Sequence, residues 1–153
     1  MARSHGSQMS SPRPVLLLLE GHVARRLALV VALRDSFDVR TAEEDGELMR
    51  MSRSLRPELV IIGVDPLRAA RSLRTSRLLR SEPSAPRVGL LHPGARRPKP
   101  DEVMRESLAN GYLGGDAEPQ RVRAWALRII RGEEAIEISP ASGRSWLRRV
   151  LGG

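Results

Sequence analysis

Short apolar runs alternate with longer amphipathic segments along most of the chain. The runs are bounded by Gly, Pro or charged residues, which is typical of strands. They predict strands at 15–19, 37–41, 58–64, 87–92 and 111–114. The longer segments have apolar residues at helical spacing and predict helices at 22–35, 43–55, 67–81, 101–110 and 119–131. A strand is therefore followed by a helix throughout the central part of the chain.

This alternation predicts an α/β fold, a (βα)5 three-layer sandwich around a parallel five-stranded sheet. We expect the flavodoxin-like strand order 2-1-3-4-5, with a functional crevice at the carboxyl ends of the strands. In the first helix, the spacing places Val23, Leu27, Val30 and either Leu33 or Val31 on one face, with Arg25, Arg26 and Arg34 outward.

Composition narrows the chemistry. The 153 residues include no cysteine and three histidines, which excludes disulfides, thiolate catalysis and cysteine zinc sites. We expect no metal and no cofactor. We also expect no membrane span, since no apolar run reaches about 18 residues. We expect a cytoplasmic chain with a disordered leader at 1–13 and one domain at 14–132. A linker and a short amphipathic helix follow at 133–153.

The formal charge is +8, and Lys99 is the only lysine among 26 basic residues. Such a balance indicates either an acidic or nucleic-acid partner or the arginine bias of a GC-rich coding genome. One segment, 66–81, contains no acid. Its basic stripe consists of Arg68, Arg71, Arg74, Arg77 and Arg80. Its buried side is expected to consist of Leu67, Ala70, Leu73 and Leu78. The stripe predicts either a nucleic-acid contact or a solvated helix face.

Several runs occur in an order found in one known family. They are LLLLE followed by ARR, then RPELVII, NGYLGG and ALRIIRGE. In this order and spacing, 14–132 resembles the CheY-like receiver domain of bacterial response regulators. Residues 124–153 are similar to the end of NarL/LuxR-type regulators, with an ISP stretch and a linker helix but without a helix-turn-helix. The resemblance implies a protein of two-component signal transduction.

A working receiver takes a phosphoryl group from a histidine kinase onto an aspartate, with Mg²⁺, a lysine and a hydroxyl nearby. Carried over by position, the two acids after the first strand become Glu20 and Gly21, and the nucleophile becomes Gly63. The hydroxyl position falls on Leu91 or His92 and the lysine position on Gly115. The resemblance therefore implies a degenerate receiver, or pseudo-receiver, with no catalytic residue, which acts without aspartyl phosphate.

Three residues keep alternative interpretations open. Asp65 follows Gly63 by two positions, so a register shift would make it a phosphoacceptor of a conventional response regulator. His92 is either a ligand, base or pH switch, or an ordinary histidine with its polar atoms satisfied. Tyr112 stands at the position of the receiver's switch aromatic, or is a plain core or edge tyrosine.

The main functional hypothesis is a non-enzymatic module that acts through protein–protein contacts or as a homodimer. The resemblance places its partner surface on the fourth helix, fifth strand and fifth helix. The predicted contacts are Val103, Met104, Arg105, Arg121, Arg123, Trp125 and Arg128. The C-terminal helix adds Trp146, Leu147 and Val150, with Leu151 on the same face. This helix is predicted to dock on its own domain, dimerise or enter a partner's groove.

Overall fold

A computed structural model describes residues 12–94 and 99–139. The strands are β1 (Val15–Leu19), β2 (Asp38–Ala42), β3 (Leu59–Gly63), β4 (Arg87–His92), β5 (Gly111–Gly114) and β6 (Ala135–Ile138). The helices are α1 (Val23–Leu33), α2 (Asp45–Leu55), α3 (Ala69–Arg80), α4 (Pro100–Ser107) and α5 (Pro119–Ile130). A single 3₁₀ turn, Pro66–Arg68, precedes α3. Most of the predicted leader and the predicted C-terminal helix lie outside the described residues.

All neighbouring strands run parallel, in the order β2-β1-β3-β4-β5-β6. The predicted α/β class and the order of the first five strands are confirmed. The expectation of five strands is wrong, because the described part of the sheet contains a sixth. Residues 135–138, which the sequence assigns to a linker, pair with β5 in the register Tyr112↔Ile136.

The sheet is buried on both faces because helices cover it on both sides. Leu16 and Leu18 of β1 share one hydrophobic cluster with α1 and α5. Leu17 and Leu19 point the other way, into a cluster with α2, α3 and α4. This alternation explains why the strand is a continuous run of leucines rather than an apolar–polar repeat.

Two glycines allow α5 to lie close against the sheet. An added Cβ at Gly89 would be 2.6 Å from Cη2 of the buried Trp125, and one at Gly111 would overlap the side chain of Ile129. The Trp125 indole N–H also donates to the Ala135 carbonyl oxygen at 2.9 Å. The fully buried Trp125 therefore connects α5 to both β4 and β6.

Charged side chains fasten β6 to α5. Glu137 accepts a hydrogen bond from Arg128 Nη1 at 2.6 Å and forms an ion pair with Arg121 at 3.3 Å. Arg128 Nε also donates to Glu133 Oε1 at 3.1 Å. Hydrogen bonds from Arg128 and then Arg131 hold the pKa of Glu133 below its usual value. The sixth strand is therefore an integral part of the sheet.

The predicted inner faces of two helices are corrected by the structure. In α1 the buried residues are Leu29, Ala32 and Leu33, whereas Val23 and Leu27 are exposed. Of the predicted face, Leu33 is buried and Val30 is partly buried against the core, so the helix is rotated from the expected orientation. In the part of the chain that the structure describes, no helix is long and apolar enough to cross a membrane.

In α3 the predicted buried side is also wrong. Leu67 is 93% exposed and Leu78 is 52% exposed, Ala70 is exposed and Leu73 is partly buried. The buried residues are Ser72, Thr75, Ser76 and Leu79. Thr75 Oγ1 donates to Asp45 Oδ2 at 2.6 Å, and Ser76 Oγ donates to the Ser107 carbonyl oxygen at 2.9 Å. Hydroxyl side chains that bond to α2 and α4 thus replace an apolar stripe.

Candidate functional site

The crevice at the carboxyl ends of the strands contains a buried carboxylate, Glu20, immediately after β1. This side chain is only 5% exposed. Its Oε2 accepts from the His22 backbone N–H at 3.0 Å, and its Oε1 accepts from Arg25 Nη1 at 3.4 Å. Arg26 Nη1 donates to the Glu20 carbonyl oxygen at 3.2 Å. Both arginines therefore fold back onto Glu20, which corrects the prediction that they point outward.

Glu20 covers the end of β3, where the nucleophile position falls on Gly63. A Cβ added at Gly63 would lie 2.7 Å from Glu20 Oε1 and 3.2 Å from the Leu19 carbonyl oxygen. The space that a side chain at this position would enter is therefore occupied by the Glu20 carboxylate. A glycine at the end of β3 and a glutamate after β1 fit each other sterically.

Two further positions that the resemblance assigns to the site lie beside Glu20. Leu91 and Gly115 line a cavity of about 20 Å³ together with Glu20, Arg25 and Asp116. A cavity of this size holds about one water molecule. Of the two alternatives for the hydroxyl position, Leu91 is therefore the residue that lies beside Glu20.

His92 instead contacts Tyr112. The His92 Nδ1 atom is 2.9 Å from the Tyr112 hydroxyl oxygen, and the rings meet edge-on with centroids 6.0 Å apart. Both side chains are buried, at 4% and 0% exposure. Tyr112 is therefore turned inward and bonded to a histidine. The interpretation of Tyr112 as a core residue accounts for this geometry, and its switch role stays a prediction.

The remaining candidate positions, Gly21 and Asp65, do not line the cavity beside Glu20. Gly21 is exposed, and an added Cβ there would meet no atom within 4 Å. The strand that was expected to reach Val64 ends at Gly63, and Asp65 caps the following turn. Asp65 is exposed and its Oδ1 accepts from the Leu67 backbone N–H at 2.9 Å. Its role as a phosphoacceptor stays a prediction.

The side chains at this crevice do not fit a Mg²⁺ site. Mg²⁺ prefers several oxygen ligands, usually including one or two carboxylates. Here the oxygens of Glu20 are bonded to a backbone N–H and to the Arg25 guanidinium, which already neutralises its charge. Among residues 12–94 and 99–139, no group of three or more His, Cys, Asp or Glu side chains is placed to hold a metal ion.

Three of the five arginines in the basic stripe are bonded to groups of neighbouring elements. Arg71 forms an ion pair with Asp45 at 3.3 Å. Arg77 donates to the Glu106 carbonyl oxygen, and Arg80 donates to those of Leu108 and Pro86. Arg68 and Arg74 are exposed. The stripe therefore serves in part to join α3 to α2 and α4, and nucleic-acid binding by it stays a prediction.

The predicted partner surface is also corrected in its apolar part. Val103, Met104 and Trp125 are buried, with exposures of 3%, 9% and 0%, because their helix faces pack on the sheet. The edge of β5 is covered by β6. Arg121 and Arg128 bind Glu137 of β6. Arg105 is exposed and Arg123 is partly exposed, and the side chains of Arg121 and Arg128 keep exposures of 39% and 36% beside Glu137.

Sequence reasoning missed two residues of the crevice, Arg25 and Asp116. Arg25 lies five positions after Glu20, across a strand-to-helix turn, so no helical spacing links the two. Asp116 follows Gly114 and Gly115, beyond the position at which a lysine was sought. Arg25 belongs to the ARR run that contributes to the resemblance, but that run assigns it no site role, and Asp116 follows the NGYLGG run directly. The folded backbone brings both residues to the cavity beside Glu20.

Comparison with known proteins gives matches among solved structures alone. No family model matches the chain, and no curated protein matches it. The chemotaxis response regulator CheY4 of Vibrio cholerae has a TM-score of 0.64 at 16% identity, covering 77% of this chain and 98% of that one. A response regulator from Thermotoga maritima has a TM-score of 0.62 at 22% identity, with coverages of 78% and 99%.

A third structure comes from the class to which the tail was compared. The receiver domain of the NarL response regulator from Mycobacterium tuberculosis has a TM-score of 0.63 at 17% identity and covers 80% of this chain and 100% of that one. These likenesses concern the backbone, since all three identities are below 25%. The chain therefore has the fold of CheY-like response-regulator receiver domains.

Proposed function

We propose that the protein is a non-catalytic signalling module that acts through protein–protein contacts and without aspartyl phosphorylation. The observation that carries this proposal is the position of Glu20. Its carboxylate lies against Gly63, at the place that a phosphoacceptor side chain would need, and is bonded to Arg25. The receiver fold supports a role in signalling, and the crevice supports a role without phosphoryl chemistry.

The charge balance of the crevice supports the same proposal. Phosphoryl transfer relies on cations that neutralise the developing negative charge. In this protein the cation at the crevice is Arg25, which belongs to the chain and binds Glu20. Lys99, the only lysine, lies just before α4 and does not line the cavity beside Glu20. Glu20 is therefore neutralised by Arg25 of the same chain, and Asp116 is a second carboxylate that lines the cavity.

The surfaces left for a partner are the outer faces of α4 and α5. Arg105 and Arg123 form no ion pair with a described residue and are accessible from outside. The outer face of α4 also carries the exposed Asp101, Glu102 and Glu106, so a partner with side chains of both charges fits it. The tail residues Trp146, Leu147 and Val150, which lie outside the described residues, are kept as predicted contacts.

Phosphorylation is tested by incubating the intact chain with acetyl phosphate and Mg²⁺ and measuring its mass. We expect no added phosphoryl group, because Gly63 provides no nucleophile at the end of β3 and the Glu20 carboxylate beside it is bound to Arg25. A receiver known to be modified by acetyl phosphate, treated in parallel, shows that the donor is active.

The Asp65→Asn variant is the matched control. An adduct on the unmodified chain that disappears in this variant would support the alternative of a conventional response regulator that uses Asp65. An adduct that persists in Asp65→Asn would mean another acceptor, and it would equally contradict the proposal. An unchanged mass in both chains supports it.

A further inference from the structure

A groove lies between α4 and β6, on the face of the sheet opposite α5. Its volume is about 630 Å³. Its apolar lining includes Met104, Leu108, Ala109 and Ile136. Leu108 is 44% exposed and Ile136 is 38% exposed, so the apolar floor is open to solvent. The groove lies apart from Glu20 and shares no residue with the crevice.

The groove exists because β6 extends the sheet beyond the reach of the helices on this face. Ala135 and Glu137 of β6 face α5, where Glu137 binds Arg128. Ile136 and Ile138 alternate with them and therefore face the α4 side. Ile138 is 51% exposed. A strand with one covered face and one open apolar face indicates a missing covering element.

The segment that follows β6 has the length to cover this face. The last described residue, Ser139, lies at the carboxyl end of β6, directly after Ile138. Residues 140–145 span up to about 20 Å when extended, at about 3.3 Å per residue. That reach exceeds the length of the four-residue β6, about 13 Å. The chain can therefore reverse and bring Trp146 beside Ile136.

The composition of this segment also fits the groove. Its sequence places Trp146, Leu147, Val150 and Leu151 on one side of a helix and Arg144, Arg148 and Arg149 on the other. The groove is lined by three acids, Asp101, Glu133 and Glu134, and by three arginines, Arg80, Arg87 and Arg105. Because these charges balance, the fit rests on the apolar contacts and on the tether to β6.

We propose that residues 146–151 pack in cis into the groove between α4 and β6 of the same molecule. The segment covers Leu108 and Ile136 and lies next to Arg105, one of the accessible candidates for partner binding. This inference concerns a different surface from the phosphoryl crevice and does not depend on how the crevice behaves.

A spin label on the full chain tests the contact. Because the chain has no cysteine, the Ser145→Cys variant carries one nitroxide beside Trp146. In a dilute ¹⁵N-labelled sample we expect the strongest line broadening at the amides of Leu108, Ala109 and Ile136. In a mixture of ¹⁵N-labelled chains without nitroxide and unlabelled chains with it, we expect no specific broadening, because the contact is intramolecular.

Two variants test whether Leu108 takes part in the contact. Leu108 ends α4 with φ +58°, a conformation that asparagine tolerates, so Leu108→Asn removes an apolar contact without straining the cap. We expect it to reduce the broadening at Ile136, whereas Leu27→Gln, at an exposed leucine of α1, should leave the broadening unchanged. Broadening centred on α1, broadening seen only in the mixed sample, or none at these amides would overturn the proposal.

Discussion

At the scale of single residues, the buried Glu20 carboxylate determines what the crevice can do. A charged group removed from water needs a counter-charge and hydrogen bonds to offset its desolvation. Glu20 has both, from Arg25 and from the His22 backbone. Its position against Gly63 makes the same carboxylate a steric plug at the end of β3.

This pairing predicts strong coupling between Glu20 and Arg25. In a double-mutant cycle, Glu20→Gln and Arg25→Gln should each destabilise the protein, and the double variant should be more stable than the sum of the two effects implies. Coupling energies of about 0.5–3 kcal/mol are usual for groups in contact. Urea unfolding of the four chains measures the coupling, and additive effects would show that the pair does not form.

At the same scale, the sequence located Glu20 and Gly63 but not the bond that joins Glu20 to Arg25. Positions after strands can be counted along the chain, because parallel strands bring their carboxyl ends to one edge. The direction of a long arginine side chain depends on the turn at His22, which neither spacing nor hydropathy encodes. For this reason Arg25 was placed on the outer face of α1 and is instead bound at the crevice.

At the scale of elements, α5 contacts both β4, inside the sheet, and β6, at its edge. The Trp125 ring packs against Gly89 of β4, and its indole N–H donates to the carbonyl oxygen of Ala135, the first residue of β6. Such close packing tolerates little added volume.

We expect Gly89→Ala to destabilise the protein by about 1–3 kcal/mol, since the buried Trp125 ring has no room to move away. Gly21→Ala is the matched control. It adds the same methyl group where no atom lies within 4 Å, and its effect should stay within about 0.5 kcal/mol. Equal effects of the two substitutions on the midpoint of urea unfolding would contradict the packing.

The stability of the folded protein is expected to depend on pH through Glu133, which lies just before β6 and is bonded to Arg128 of α5. Hydrogen bonds from Arg128 and Arg131 lower its pKa in the folded protein below the usual 4.5. A lowered carboxyl pKa stabilises the folded state above the unfolded pKa, and this stabilisation is lost as the pH falls through the folded value. The stability difference between the unmodified protein and Glu133→Gln should therefore be larger at pH 7 than at pH 3. A difference independent of pH in urea unfolding would count against the interaction.

The elements themselves were predicted to different degrees. The bounds of β1, β4 and β5 agree with the sequence prediction because β1 is followed by Glu20, β4 lies between Pro86 and Pro93, and β5 is followed by Gly115. The strand β6 was missed because its four residues, AIEI, are too short to distinguish from a linker. The inner face of α3 was wrong because Thr75 and Ser76 bury hydroxyl groups whose partners are on other helices.

At the scale of the whole molecule, the protein combines a receiver fold with a crevice in which the Glu20 carboxylate is neutralised by Arg25 of the same chain. The sheet order and the two helix layers agree with receivers, whereas the end of β3 lacks a side chain. The sixth strand also covers the edge of β5. The missing side chain supports our proposal that the module acts without a phosphoryl group, and the sixth strand leaves helix faces rather than the β5 edge for a protein partner.

The central claim is that the crevice needs neither a metal ion nor a phosphoryl group. Titration with Mg²⁺ and then with beryllofluoride, a phosphoryl mimic, followed through the amide signals of His22, Gly63 and Gly115, tests it most directly. The account predicts no saturable shift at these amides in either titration. Saturable shifts confined to the carboxyl ends of β1, β3 and β5 would contradict it.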